Sequence, residues 1–166
     1  MVDSQQEFVT DSNIWIDFYF GELIEEVFKL PFQFIAPDVI VEELEQPSGK
    51  SLLSLGLEKR ELTAELVSQV EKLTHMYPRP SINDLFALVL AKHLKIVLLT
   101  GDGELRKAAR QEGVGVHGVL WLLDKVVQYQ VIVPNKAAEA LRKMLAHGSR
   151  LPQSEIQKRL RLWRKT

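Results

Sequence analysis

Through residue 130, short apolar runs alternate with segments whose apolar positions recur every three to four residues. Glu7-Phe8-Val9-Thr10 reads as the end of a strand, interrupted by Asp11-Ser12-Asn13. Ile14 to Leu30 then predicts one helix, with Ile14, Phe18, Leu23 (or Phe20), Val27 and Leu30 on its apolar face and Pro31 as its stop. Phe32 to Ala36 is a second apolar segment, turned by Pro37-Asp38. Val39 to Leu44 opens a helix that Pro47-Ser48-Gly49 ends, and this places Glu42 and Glu43 near its first turn. Lys50 to His75 is helical in pattern through Leu57, Leu62, Leu66, Val70 and Leu73, with Gly56 breaking it into two pieces.

From Pro80 the alternation becomes regular. A helix begins after Ser81, Ile96 to Leu99 is a continuous apolar strand, and Gly101-Asp102-Gly103 follows it directly. A continuous run suits a central parallel strand covered on both faces. A helix from Glu104 to Gln111, a strand over 114–116 and a helix from Val119 to Tyr129 complete the series. Such alternation predicts an α/β fold of three layers, α/β/α, with a central parallel sheet and right-handed crossovers. Beyond it, Lys136 to His147 and a segment starting near Pro152 are helical only. We therefore expect an α/β body over 1–134 and a helical, basic C-terminal extension over 135–166 packed on the same body.

Composition narrows the class without naming a chemistry. The chain has 166 residues, 46% hydrophobic and 26% charged, which suits one folded domain. The absence of cysteine excludes disulfides, thiolate metal sites and a cysteine nucleophile. The start, MVDSQQEF, lacks the features of a secretory signal, and no apolar run approaches a membrane span, so a cytoplasmic protein with no membrane partner is expected. Net charge is −1, but it is unevenly spread. Residues 150–166 hold six of the 21 basic residues and one of the 22 acidic ones, leaving 15 against 21 in the remainder. A basic tail on an acidic body suits a polyanion or an acidic partner, and equally a solvated helix face.

Four acids stand at element junctions, and each has an ordinary structural role open to it. Asp11 suits a helix N-cap, and Glu43 suits a favourable first-turn position. Asp84 lies three residues after Ser81, the capping-box spacing, and Asp102 is a natural turn residue. Their joint placement says more. Asp11 and Asp102 follow predicted parallel strands, and Glu43 and Asp84 open predicted helices, so all four should face one crevice at the carboxyl edge of the sheet. Carboxylates gathered there repel one another unless a cation neutralises them, and an all-oxygen set suits Mg²⁺ or Mn²⁺. Metal-assisted attack of water on a phosphodiester is the chemistry such a set supports. The four histidines show no metal-ligand spacing, the tryptophans suit packing, and no phosphate-loop motif exists.

The segments FVTDSNIWID, APDVIVEEL, SINDLFALVLAK and IVLLTGDGELRKAA, in this order, resemble the PIN domain of metal-dependent ribonucleases. The resemblance covers most of residues 7–130. It implies a PIN-like, Rossmann-like topology and makes Asp11, Glu43, Asp84 and Asp102 both the metal-coordinating and the catalytic acids, with Mg²⁺ or Mn²⁺ as cofactor. Ser12 and Thr100 match polar positions that support those acids. A one-residue shift would exchange Glu43 for Glu42; Glu43 fits better because it directly precedes the apolar residue of EEL. The resemblance further implies an endoribonuclease of the prokaryotic toxin type, with RNA as substrate, a small antitoxin protein as partner and a homodimeric state. The ending from GVLWLLDKVV through RLPQSEIQKRLRLW is similar to variants with an extra helical C-terminus. Arg106, Lys107 and Arg110, and in the tail Arg159, Arg161 and Arg164, are the candidates for RNA phosphate contacts. From another functional class, a non-catalytic module that binds RNA or a protein partner on the same fold is the alternative.

Overall fold

The computed structural model describes residues 5–164, so Lys165 of the basic tail lies outside the described residues. Five strands form one parallel sheet: β1 (Gln6–Thr10), β2 (Phe32–Pro37), β3 (Glu58–Arg60), β4 (Val97–Leu99) and β5 (Val116–His117), in the order β3-β2-β1-β4-β5. β1 is central, with Phe8 opposite Phe34 on one side and Val97 on the other. The order reverses beside β1, so β1 and β4 bound the switch point at which an open sheet forms its crevice.

Residues of the central strands β1, β2 and β4 are largely buried because helices cover both faces. Phe8 and Phe34 point one way and meet Trp15 of α1 (Ser12–Phe20) and Trp121 of α8 (Val119–Gln128), whose rings lie 5.4 Å from Phe34 and Phe8 respectively. Val9, Ile35 and Leu98 alternate to the opposite face and are fully buried. There α6 (Ile82–Leu94) crosses β1, β2 and β4, with α5 (Ala64–Met76) and α7 (Gly103–Gln111) beside it. This is the three-layer α/β/α arrangement. α9 (Pro134–Ala146) packs on α1 and α8, and α10 (Gln153–Arg164) packs on α9 with Ile156 and Trp163 buried.

Four features differ from the sequence pattern. The single helix expected over 14–30 is two, α1 and α2 (Ile24–Val27), separated by Glu22 in the left-handed region at φ 59°. A side chain at Gly21 would meet Met144 of α9 at 2.6 Å, so the turn lies against the extension. Ser48 is not only the end of a helix: its hydroxyl accepts from Ser51 N and caps α4 (Gly49–Leu55). α3 (Asp38–Glu43) ends at Glu43, so Glu43 closes a short helix instead of opening one. Between α4 and α5 lies β3, an edge strand of three charged residues with no apolar signature.

Candidate active site at the carboxyl edge of the sheet

Asp11 is the first residue past β1, and its backbone still follows the ladder, its N–H donating to Leu99 O at 3.1 Å. Its side chain folds back as the N-cap of α1. Oδ1 accepts from Ile14 N at 3.0 Å, and Oδ2 accepts from the Thr100 hydroxyl at 2.5 Å and from Gly101 N at 3.2 Å. The residue is completely buried. Burial raises the carboxyl to about 7; hydrogen bonds from Thr100, Ile14 and Gly101 oppose that rise, and the charge of Asp84 adds to it.

Thr100 joins two of the acids. Its hydroxyl donates to Asp11 and accepts from Asp102 N at 2.9 Å, and it too is fully buried. Asp102 caps α7 by accepting from Glu104 N at 3.3 Å through Oδ1, leaving Oδ2 without a hydrogen bond among the described residues. Asp84 closes a capping box with Ser81, its Oδ2 accepting from Ser81 N at 3.3 Å while Ser81 Oγ accepts from Asp84 N at 3.1 Å. Only 8% exposed, Asp84 is raised chiefly by burial, then by the charges of Asp102 and Glu43, against the lowering effect of Ser81. Glu43 reaches the same neighbourhood from α3, where Oε2 accepts from Asn83 Nδ2 at 2.5 Å. Asp84 is thus the electrostatic centre, feeling Asp102 and Glu43 and being felt by Asp11.

Two cavities border this edge and share Ile16 and Phe20 of α1. One, of about 640 Å³, is lined by Ser12, Glu43 and Glu45. The other, of about 530 Å³, is lined by Asn13, Asp17, Asp102 and Glu104, with Ser149 and Arg150 of the α9–α10 connection forming its far wall. Asp17 is a site residue the pattern did not single out. Burial raises it to about 6, partly offset by a hydrogen bond from Ser149. The available signal was its spacing of four from Asn13 in an otherwise apolar helix, which sets both on one face.

In donor type and charge the acids fit a hard divalent cation: every donor is a carboxylate oxygen, and burial, with a smaller share from mutual repulsion, raises Asp11 and Asp84 in a way that a nearby cation would offset. Among the described residues, however, no three acidic or histidine side chains stand as a group able to hold an ion. Asp11 spends both oxygens on positioning, whereas Asp102 and Glu43 each keep one oxygen free of hydrogen bonds among the described residues.

The cations divide. Lys107 lies 3.6 Å from Glu104, and Arg106 and Arg110 line a separate cavity beside β5. Arg159 was expected to meet RNA, but its guanidinium is committed to Asp124 (2.7 and 2.9 Å) and Glu155 (2.8 Å), tying α10 to α8. Arg161 and Arg164 are exposed on α10, and neither lines the two cavities beside the acids. No helix among the described residues is long and apolar enough to cross a membrane.

Comparison with known proteins gives three findings. No curated protein matches the chain. Among solved structures, a PilT N-terminus domain protein from the hyperthermophilic archaeon Sulfolobus solfataricus is similar at 13% identity and a TM-score of 0.48, covering 74% of this chain and 95% of that one. The family model described as DUF3368, a PIN domain, matches residues 7–165. That match spans nearly the whole sequence, including the acid-bearing junctions and the C-terminal helices, and the chain belongs to the PIN-domain family.

Proposed function

We propose that this protein is a Mg²⁺- or Mn²⁺-dependent endoribonuclease that hydrolyses RNA phosphodiesters. The observation that carries the reading is the buried Asp11 beside Asp84, with Asp102 and Glu43 acting on Asp84, all at the carboxyl edge of a parallel sheet. Asp84, Asp102 and Glu43, with Asp11 behind them, would hold the cation, which when bound supplies charge neutralisation, an activated water and stabilisation of the leaving oxygen. Thr100 fixes Asp11 and the Asp102 backbone relative to one another, so these two acids move as a unit. Ser12 lines the cavity with Glu43 and supplies a hydroxyl on the approach. Hydrolysis adds water across the P–O3′ bond, leaving a 5′-phosphate and a 3′-hydroxyl.

Within this reading the protein is the toxin of a toxin–antitoxin pair, with a small antitoxin as partner and a dimeric state. The family resemblance supports that role, and the neighbouring gene together with co-purification would test it. A second reading, a non-catalytic RNA- or partner-binding module, draws on the fact that the acids do not form a ready three-ligand group among the described residues. Titration with Mn²⁺ followed by paramagnetic resonance separates the two. Stoichiometric binding that is lost in Asp84→Asn supports the nuclease; no binding, with RNA retained intact in Mg²⁺, supports the module.

A further inference from the structure

On the β5 side of the acids lies a cavity of about 240 Å³, walled by α7, the start of α8 and the Leu151–Pro152 connection into α10. We propose that it is a phosphate-binding subsite built jointly by the α/β body and the C-terminal extension.

Arg106 and Arg110 stand one turn apart on α7 and enter the cavity from the same helix face. Arg159 also lines it but is neutralised by Asp124 and Glu155, and among the described residues Glu155 is the only acid in the lining. Neither Arg106 nor Arg110 has an ion pair among the described residues. Arg106 Nε is buried and has no hydrogen-bond partner among them. A buried charged donor without an acceptor is costly, and an anionic oxygen in the cavity would satisfy it.

The opposite wall has the same sign. α8 starts at Gly118 with no side-chain cap and no acid in its first turn, so its free N–H groups and the positive end of its dipole border the cavity. Gly118 leaves room beside Arg106: its φ of −114° needs no glycine, and an added Cβ would stand 2.4 Å from Arg106 Nη2 and displace that flexible guanidinium. His117, at the same rim, is held below its ordinary value chiefly by burial, with Lys125 and Arg106 adding to it. Two unpaired guanidinium groups and an uncapped helix start, with one committed acid among them, make an arrangement that an anion completes.

The site adjoins the acids. Arg106 follows Asp102 by one turn of α7, and the Cβ position at Gly118 lies 3.6 Å from Thr100 O. A backbone phosphate flanking the cleaved one is therefore the expected source. That identification rests on the nuclease reading, whereas phosphate binding does not.

The test uses the full chain in EDTA, where no cleavage is needed. A fluorescent single-stranded RNA is titrated by anisotropy at several salt concentrations against wild type, Arg106→Gln and the exposed-site variant Arg110→Gln. Inorganic phosphate is titrated separately by thermal shift. We expect each variant to lose about 5- to 10-fold in RNA affinity and to reduce the salt slope by about 0.7, the value for one single-strand phosphate contact. Unchanged RNA affinity with a phosphate-dependent thermal shift that both variants lose supports the site with free phosphate as its source. Wild-type RNA binding and wild-type phosphate response in Arg110→Gln, with the same in Arg106→Gln wherever that variant folds, overturn the proposal. Failure of the nuclease reading shows up separately, as absent metal-dependent turnover in the wild type.

Discussion

Replacing Thr100 with valine removes one hydroxyl and keeps the shape of the side chain. The hydroxyl makes two buried bonds, donating to Asp11 Oδ2 at 2.5 Å and accepting from Asp102 N at 2.9 Å. The first is to a charged group at alkaline pH, worth about 1.5–3 kcal/mol, and the second about 1 kcal/mol, so Thr100→Val should cost about 2–4 kcal/mol at pH 8.5. In a chain of this size that is a fall in Tm of roughly 5–12 °C. The loss should depend on pH. Asp11 is raised to about 7 in the native state, so the stability it contributes is present at low pH and is lost as pH rises through 7. Thr100 opposes that rise by stabilising the charged form. At pH 5 Asp11 is neutral in both proteins, and the deficit should shrink to about half, on the scale of neutral hydrogen bonds. Thr100→Ser keeps the hydroxyl and should stay within about 1 kcal/mol of wild type. Urea unfolding at pH 5 and pH 8.5 is the assay. A valine variant as stable as the serine variant, or equally destabilised at both pH values, would refute the coupling of Thr100 to a buried, ionising Asp11.

Two further predictions concern the extension. Asp17 is raised to about 6 by burial beneath the α9–α10 connection, so its charged form costs stability as pH rises from about 4 through 6. Asp17→Asn should be near wild type at pH 4 and more stable at pH 8 by about 1–2 kcal/mol, allowing for its partial exposure; a thermal-melt difference that does not grow with pH would contradict this. Arg159→Ala leaves Asp124 and Glu155 without their shared partner, so α10 should loosen at a cost of about 2 kcal/mol. Limited proteolysis should then cut near Gly148–Pro152 faster than in wild type, and an unchanged cleavage rate would count against this role.

The parts of this molecule legible in sequence are those set by local chemistry. β4 announces itself as a continuous apolar run and β1 and β2 as short segments with apolar stretches, and Asp11, Asp84 and Asp102 sit beside cap signals a few residues away in the chain. What was not legible depends on contacts between distant segments. β3 is Glu58-Lys59-Arg60, and only pairing with β2 makes it a strand. The break at Gly21–Leu23 lies where Met144, more than a hundred residues later, packs against Gly21. Glu43 is expected in a first turn, although the β-branched run before it is a poor helix former, and α3 ends at Glu43. Asp17 looks like a surface acid until Ser149 and Arg150 cover it. Arg159 looked like one more cation of a basic tail, and only its meeting with Asp124 shows it to be a tether.

The most direct test of the central claim is cleavage of a 5′-labelled RNA by wild type, Asp84→Asn and Asp102→Asn, each with Mn²⁺ and with EDTA. Asp84 is buried and lies among negative charge, and Asp102 holds a free carboxylate oxygen beside it, so asparagine at either position should preserve the fold while removing the charge. The account predicts metal-dependent fragments ending in 3′-hydroxyl from wild type, with at least a 100-fold loss of rate in both variants, about 2.7 kcal/mol or more of transition-state stabilisation. Wild-type rates in both folded variants, or fragments that form equally in EDTA, would contradict it.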